Sequence, residues 1–329
     1  MSCDLGRRNV GKSSPWRWRC AGAAGGSLRP AEGPWAPPPL YAPLAVQAVD
    51  FQLGGVEDRL AGWRSGSGIP VLVLHGGPGL SDYTESLVAE LGPSYETIRY
   101  QQRGLEPSTT SGPFDVETQV DDVLRVMDHL QLDRPLVLGH SWGGHLAMHL
   151  IATHPERVQG TLIVDPLGAV PDGGEEDLGR NLAERASPEA AARSAELDAR
   201  ALQGEGTEED AIEGLRLVWP GYFADPKTAP PMPPMRMSVA AYSETFTSIR
   251  QHFGNQTLVR LLPTVRVATA FLLGQESPIP NSHGMASAAL IEGARVDVLA
   301  HCGHLPWLEQ PGSVRAALDR LVGRAVPSA

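Results

Sequence analysis

Residues 136–153 constrain the fold more than any other stretch of the chain. Leu136-Val137-Leu138 runs directly into Gly139-His140-Ser141-Trp142-Gly143-Gly144, and a helix-like run continues to Thr153. A strand that becomes a helix within so few residues must turn sharply. Glycines flanking a serine permit the backbone angles and close packing of such a turn. The turn exposes the serine hydroxyl at a helix N-terminus, where backbone amides favour developing negative charge. A bare G-x-S-x-G pattern arises often by chance. The strand before it and the helix after it are the context that gives it meaning. Ser141 is therefore the candidate nucleophile.

Elsewhere short apolar runs alternate with longer amphipathic ones. Residues 71–74, 97–100, 161–164, 267–273 and 296–299 read as strands, and 46–53 with 59–64, split by Gly54-Gly55, as a hairpin. Residues 116–130 carry a helical period, with Val120, Val123, Leu124 and Met127 on one face, and 312–322 read as a C-terminal helix. This alternation predicts an α/β fold, a mostly parallel sheet with helices on both faces. The rhythm stops between about 168 and 260. Residues 171–216 hold 13 acids and five arginines and read as charged, solvated helices, while 225–237 are dense in Pro and Met. An insertion between two strands is a natural place for a cap. The expected division is a core of 41–167 and 261–329 with a helical cap over 168–260. Residues 1–40 hold six of the 27 basic residues and two acids, and are rich in Gly, Ser and Pro. They read as a disordered leader rather than a secretory signal or a transit peptide.

Composition excludes several function classes. A formal net charge of −11 argues against a non-specific nucleic-acid binder. No apolar run reaches the roughly 18 residues of a membrane span. The three cysteines, Cys3, Cys20 and Cys302, are too few and too scattered for a disulfide framework or a zinc ribbon. The expectation is a cytoplasmic protein acting on a small molecule or a short peptide, with no nucleic-acid or membrane partner. Its oligomeric state is not legible.

An acyl-transfer serine needs donors for the tetrahedral oxyanion. The backbone N–H of Trp142 is one candidate. The other should come from a loop after an earlier strand, and His75-Gly76-Gly77-Pro78-Gly79 follows the run at 71–74. Gly77 is the candidate there. The hydroxyl also needs a base. His304, in Ala300-His301-Cys302-Gly303-His304, follows the last strand and precedes the final helix, where the order Ser…acid…His places it. His301 is its rival. His140 and His145 read as supporting or packing residues, and Cys302 as a packed small side chain.

His75–Gly79, Gln102-Arg103-Gly104, Gly139–Gly144 and Gly303-His304 together resemble the α/β-hydrolase superfamily, and within it the proline iminopeptidase group, with its HGGPG, DQRG and GHSWGG segments. The resemblance spans roughly residues 45–325. It implies an eight-stranded sheet, a helical cap after strand six, a Ser/acid/His triad and no cofactor or metal. Peptidases of the group release N-terminal proline and use cap acids to hold the substrate's amino group.

Two departures matter. The family's acid usually follows strand seven, but Leu273-Gly274-Gln275-Glu276-Ser277-Pro278 places Ser277 there. Asp165, in Val164-Asp165-Pro166 at the end of strand six, is the favoured substitute, and Glu276 is the alternative. The other departure is Tyr100-Gln101-Gln102-Arg103-Gly104, with Gln101 where the family has an acid. Its effect should fall on local support. Glu244 in the cap and Glu106 are the nameable anchors for an ammonium group, and both also fit a solvated surface. The expected function is a serine hydrolase working through an acyl-enzyme, as an aminopeptidase releasing N-terminal proline. The alternative is a small-molecule carboxylesterase or lactonase, and a third reading is a binding module that lost its triad. An epoxide hydrolase or dehalogenase is disfavoured, because those relatives carry aspartate at the position of Ser141.

Overall fold

The computed structural model describes residues 49–202 and 205–325. The leader expected over 1–40 and residues 46–48 of the expected first strand lie outside them. The chain opens with β1 (Phe51–Leu53) and β2 (Leu60–Ser65), an antiparallel pair joined through Gly54-Gly55. It continues through β3 (Ile69–Leu74), α1 (Glu85–Leu91), β4 (Tyr95–Gln101), α2 (Val116–His129), β5 (Leu136–His140), α3 (Trp142–Thr153) and β6 (Gly160–Val164). Then come α4 (Glu175–Arg185), α5 (Pro188–Leu202), α6 (Glu208–Val218), α7 (Val239–Gly254) and α8 (Thr257–Leu261). The chain returns as β7 (Ala268–Gly274), α9 (Asn281–Ala289) and β8 (Arg295–Leu299), and closes with α10 (Pro306–Glu309) and α11 (Ser313–Ala325). No described helix is long and apolar enough to cross a membrane.

The eight strands form one sheet in the order β1-β2-β4-β3-β5-β6-β7-β8, parallel from β4 onward. Side chains alternate across it, as a period of two requires. Val71 and Val73 face a core shared with Leu87 and Leu91 of α1 and Leu318 of α11. Leu72 and Leu74 face the opposite core, with Val123 and Met127 of α2 and Leu146 and Leu150 of α3. The chain steps from β3 to β4 on one side and then returns to place β5 on the other. In open α/β sheets a crevice forms where the strand order reverses, beyond the C-terminal strand ends. Here that point lies between the loop after β3 and the turn after β5.

Local chemistry explains several boundaries. Asp115 caps α2 by accepting the Thr118 N–H at 2.7 Å. Thr207 and Asp210 form a reciprocal capping box at the start of α6. Helices α1 and α9 were not anticipated. The first is short, and the second, Asn-Ser-His-Gly-Met-Ala-Ser-Ala-Ala, has no apolar stripe; it packs through Gly284 against Leu273. The connection from β6 to β7 is tied to the loop after β3. Leu80 bridges Met237, and Ser238 N–H donates to Gly79 at 2.8 Å.

Two buried polar features hold the layers. Arg103 forks onto Asp122 of α2, with N–O distances of 2.6 and 2.7 Å, and also donates to the Pro113 carbonyl at 3.1 Å. Both side chains are buried. The other is a run of histidine rings between α3 and α7. His145 and His149 lie 5.0 Å apart, and His149 lies 4.7 Å from His252. The Nδ1–H of His145 donates to the Gly168 carbonyl at 3.1 Å, and the buried Nε2 atoms of His145 and His149 have no hydrogen-bond partner among the described residues. Burial pushes His145 down to about 4 and His149 well below its ordinary value.

Removing one partner of a buried ion pair leaves the other charge uncompensated. Asp122→Ala should therefore destabilise the fold by about 3–5 kcal/mol, read by urea unfolding. A loss under about 1 kcal/mol would show that water reaches the guanidinium. His145 and His149 set a pH dependence. Their folded pKa values lie below the unfolded one, so the neutral forms stabilise the fold above about pH 6.5, and that contribution fades as pH falls. His145 alone loses about 3 kcal/mol between about 6.5 and its folded value near 4. Unfolding free energies at pH 7 and 4.5 should show the decline, and His145→Gln should flatten part of it.

Candidate active site

Ser141 joins β5 to α3 with φ 55° and ψ −120°, a conformation that L-residues avoid. Its surroundings force it. A Cβ at Gly139 would run into the backbone of Gly143, and one at Gly143 into the backbone of Leu74 and His75. The turn is anchored by Ser141 N–H to Val164 at 3.0 Å, and by Gly144 and His145 N–H to the Ser141 carbonyl at 3.0 and 3.1 Å. The Ser141 side chain does not cap α3. The Trp142 amide opens that helix and has no intrahelical acceptor.

The loop after β3 passes beside the serine. A Cβ at Gly76 would sit 2.7 Å from that of Ser141, and Gly77 has φ +60°. Gln102 holds this loop to the turn. Its amide accepts from Trp142 Nε1 at 2.9 Å and donates to the His75 carbonyl at 2.9 Å, while its backbone N–H donates to His75 Nε2 at 3.2 Å. Gln101 acts on the following residues. Its Oε1 accepts the Asp82 N–H at 3.0 Å, and its Nε2 donates to the Leu80 carbonyl at 3.1 Å. A carboxylate could accept the first bond but could not donate the second. The departure at Gln101 thus falls on loop support, as expected.

Asp165 follows β6 with φ 41°, its N–H bonded to the Leu272 carbonyl at 2.9 Å. Its Oδ2 accepts from His304 Nδ1 at 2.5 Å and from the Ser277 hydroxyl at 2.5 Å, and its Oδ1 accepts the Gly274 N–H at 3.1 Å. With Nδ1 donating, the His304 Nε2 carries the free lone pair. The His304 backbone is held at both ends. Its N–H donates to the Tyr222 carbonyl at 2.7 Å, and its carbonyl accepts from His140 Nε2 at 2.8 Å. His140 Nδ1 in turn accepts from the Tyr83 hydroxyl at 2.7 Å, and that hydroxyl accepts the Gly76 N–H at 3.1 Å. Burial holds His140 well below its ordinary pKa, in keeping with a neutral ring that donates at one nitrogen and accepts at the other.

Glu309 closes the arrangement. Its carboxylate accepts the Gly303 N–H at 2.6 Å and the Ala224 N–H at 2.8 Å, so it ties the loop of His304 to the β6–β7 connection. The Tyr222 ring lies 5.3 Å from that of His304. Neither Tyr83 nor Glu309 was anticipated. Both act through partners distant in sequence, and no local motif announces them.

The other candidates lie apart. Glu276 is part-exposed and lines a groove with His301, Asp225 and Leu308; its backbone bonds Cys302 and Arg185. His301 is exposed. Cys302 is fully buried, and its burial pushes the thiol up to about 12. Glu244 is exposed on α7, and Glu106 is 60% exposed and paired with Arg59. Among the described residues no cluster of three or more His, Cys, Asp or Glu side chains is arranged to hold a metal ion.

Residues 71–317 match the family described as the alpha/beta hydrolase family. A proline iminopeptidase of Heyndrickxia coagulans is 35% identical over 124 residues, 36% of this chain and 42% of the relative. The chain spans less than half the length of the curated relatives it matches. Among solved structures, VinJ aligns with a TM-score of 0.64 at 19% identity, covering 85% of this chain and 99% of VinJ. A thermophilic esterase from Thermogutta terrifontis aligns at 0.57 with 25% identity, covering 82% and 94%. The matched stretch takes in the turn at Ser141, Asp165 and His304 on one sheet edge, and the chain belongs to the alpha/beta hydrolase family.

Proposed function

We propose that the chain is a serine hydrolase in which Ser141, His304 and Asp165 form the catalytic triad. The observation that carries this reading is the buried Asp165–His304 pair at the same sheet edge as the Ser141 turn. His304 Nε2 takes the proton as Ser141 Oγ attacks a carbonyl carbon. Asp165 stabilises the imidazolium that results. The amides of Trp142 and Gly77 donate to the oxyanion, an interaction that strengthens as charge develops. When the tetrahedral intermediate collapses, the imidazolium gives its proton to the leaving group. Water then attacks the acyl-serine, with His304 again as base, and the serine is restored.

The substrate this site favours is a small, neutral acyl compound, a carboxylester or lactone. An aminopeptidase must hold its substrate's ammonium group, and the acids named for that task, Glu244 and Glu106, sit on the surface. The alternative, release of N-terminal proline, draws support from the proline iminopeptidase similarity over 124 residues.

A fluorophosphonate probe should label the wild-type protein at Ser141 and leave Ser141→Ala unlabelled. Hydrolysis of p-nitrophenyl acetate and butyrate should exceed that of proline p-nitroanilide, and all should vanish in Ser141→Ala. Dominant anilide turnover would favour the peptidase, and failure of both labelling and turnover would point to a binding module. Asp165→Asn should lower turnover by about 10³–10⁴, and Glu276→Gln should stay near wild type. The reverse ranking would move the acid to Glu276.

A further inference from the structure

We propose that Ser277 is a positioning residue for the Asp165–His304 pair, its hydroxyl set where it reaches the carboxylate and stands beside the imidazole. The inference rests on the triad reading above. Asp165 comes from the end of β6 and Ser277 from the loop after β7, and both are buried with His304. The Ser277 hydroxyl accepts the Ile279 N–H at 3.1 Å. That bond fixes the oxygen and leaves its single hydrogen to point at Asp165 Oδ2, 2.5 Å away. The same Oδ2 receives His304 Nδ1 at 2.5 Å, while Gly274 N–H holds Oδ1 at 3.1 Å. Three donors thus fix the rotation of the carboxylate. Without Ser277, Oδ2 keeps only the histidine, and the plane of the carboxylate is set by one bond at each end.

The second observation is distance. Ser277 Oγ lies 3.5 Å from His304 Nδ1. In an aspartate at 277, Cγ replaces Oγ, and a C–O bond extends about 1.2 Å beyond it. A rotation therefore brings a carboxylate oxygen within hydrogen-bond reach of Nδ1. The site has two positions from which one acid can address the same nitrogen. Filling both with carboxylates would set like charges against each other and raise one pKa. A neutral hydroxyl at 277 avoids that conflict and supplies a donor instead.

The test uses the full chain, with kinetics on p-nitrophenyl butyrate and the rate of fluorophosphonate labelling as parallel readouts. A hydrogen bond to a charged group is worth about a tenfold effect or more, so Ser277→Ala should lower kcat by about tenfold with KM within about twofold. Ser277→Thr, which keeps the hydroxyl, should stay within about threefold of wild type. In the Asp165→Asn background, adding Ser277→Asp should restore activity by at least about tenfold over Asp165→Asn alone, because an acid again orients the imidazole. Thermal unfolding of each variant establishes that it is folded. A folded Ser277→Ala with full kcat, or a folded double variant with no recovery, would overturn the proposal alone. Full activity in Asp165→Asn would instead overturn the acid assignment on which it rests.

Discussion

The contact between Gly143 and the end of β3 sets the geometry of the whole site. The first turn of α3 presses so closely on Leu74 and His75 that no side chain fits between them. That closeness forces the chain to leave β5 through a left-handed residue, and Ser141 occupies that position. It also brings the Gly76-Gly77 loop beside the serine and aims the free amides of α3 at the same space. The strain in Ser141 is sustained because the surrounding backbone leaves no alternative. Strand order does the rest, since β5, β6, β7 and β8 lie side by side and release Ser141, Asp165, Ser277 and His304 along one edge.

A directed set of hydrogen bonds links the two sides of that edge. The Gly76 amide donates to Tyr83, Tyr83 to His140, and His140 to the carbonyl of His304. Tyr83 and His140 each give one bond and receive one, and the neutral His140 ring that burial favours is the form that permits it. The loop after β3 and the loop of His304 are therefore held by one continuous network rather than by separate supports. Such networks lose more on interruption than the sum of their separate bonds suggests.

Much of this was legible in the sequence. The runs at 71–74, 136–138, 161–164 and 267–273 mark strands covered on both faces, where residues are mostly apolar and Thr161 and Thr269 are the buried exceptions. The turn at Ser141 was legible because glycine is required on both sides of it. Asp165 could be favoured over Glu276 because adjacent side chains leave a strand end in opposite directions, and the structure gives His304 a partner only from Asp165 of the two. Short elements escaped. Helix α1 has too few residues to show a period, and α9 has small side chains whose burial depends on Leu273. Tyr83 and Glu309 escaped for a different reason. Their roles are long-range hydrogen bonds, and a single sequence carries no mark of which distant backbone group a side chain will meet. Gln101 shows the converse: its departure from the family pattern was visible, and the bonds that explain it were not.

The backbone of His304 is bonded to the β6–β7 connection through Tyr222, and Glu309 repeats the tie one residue away at Gly303 and Ala224. The connection cannot swing as a rigid flap about this point without carrying the imidazole with it. Helix α4 is tied down as well, through Asn181 to the Pro278 carbonyl and Arg185 to the Glu276 carbonyl, both at 2.8 Å, so α5 and α6 are the parts of the connection farthest from such bonds. Substitutions on the exposed faces of α5 and α6 leave these bonds untouched, so that surface can vary while the loop of His304 keeps its register.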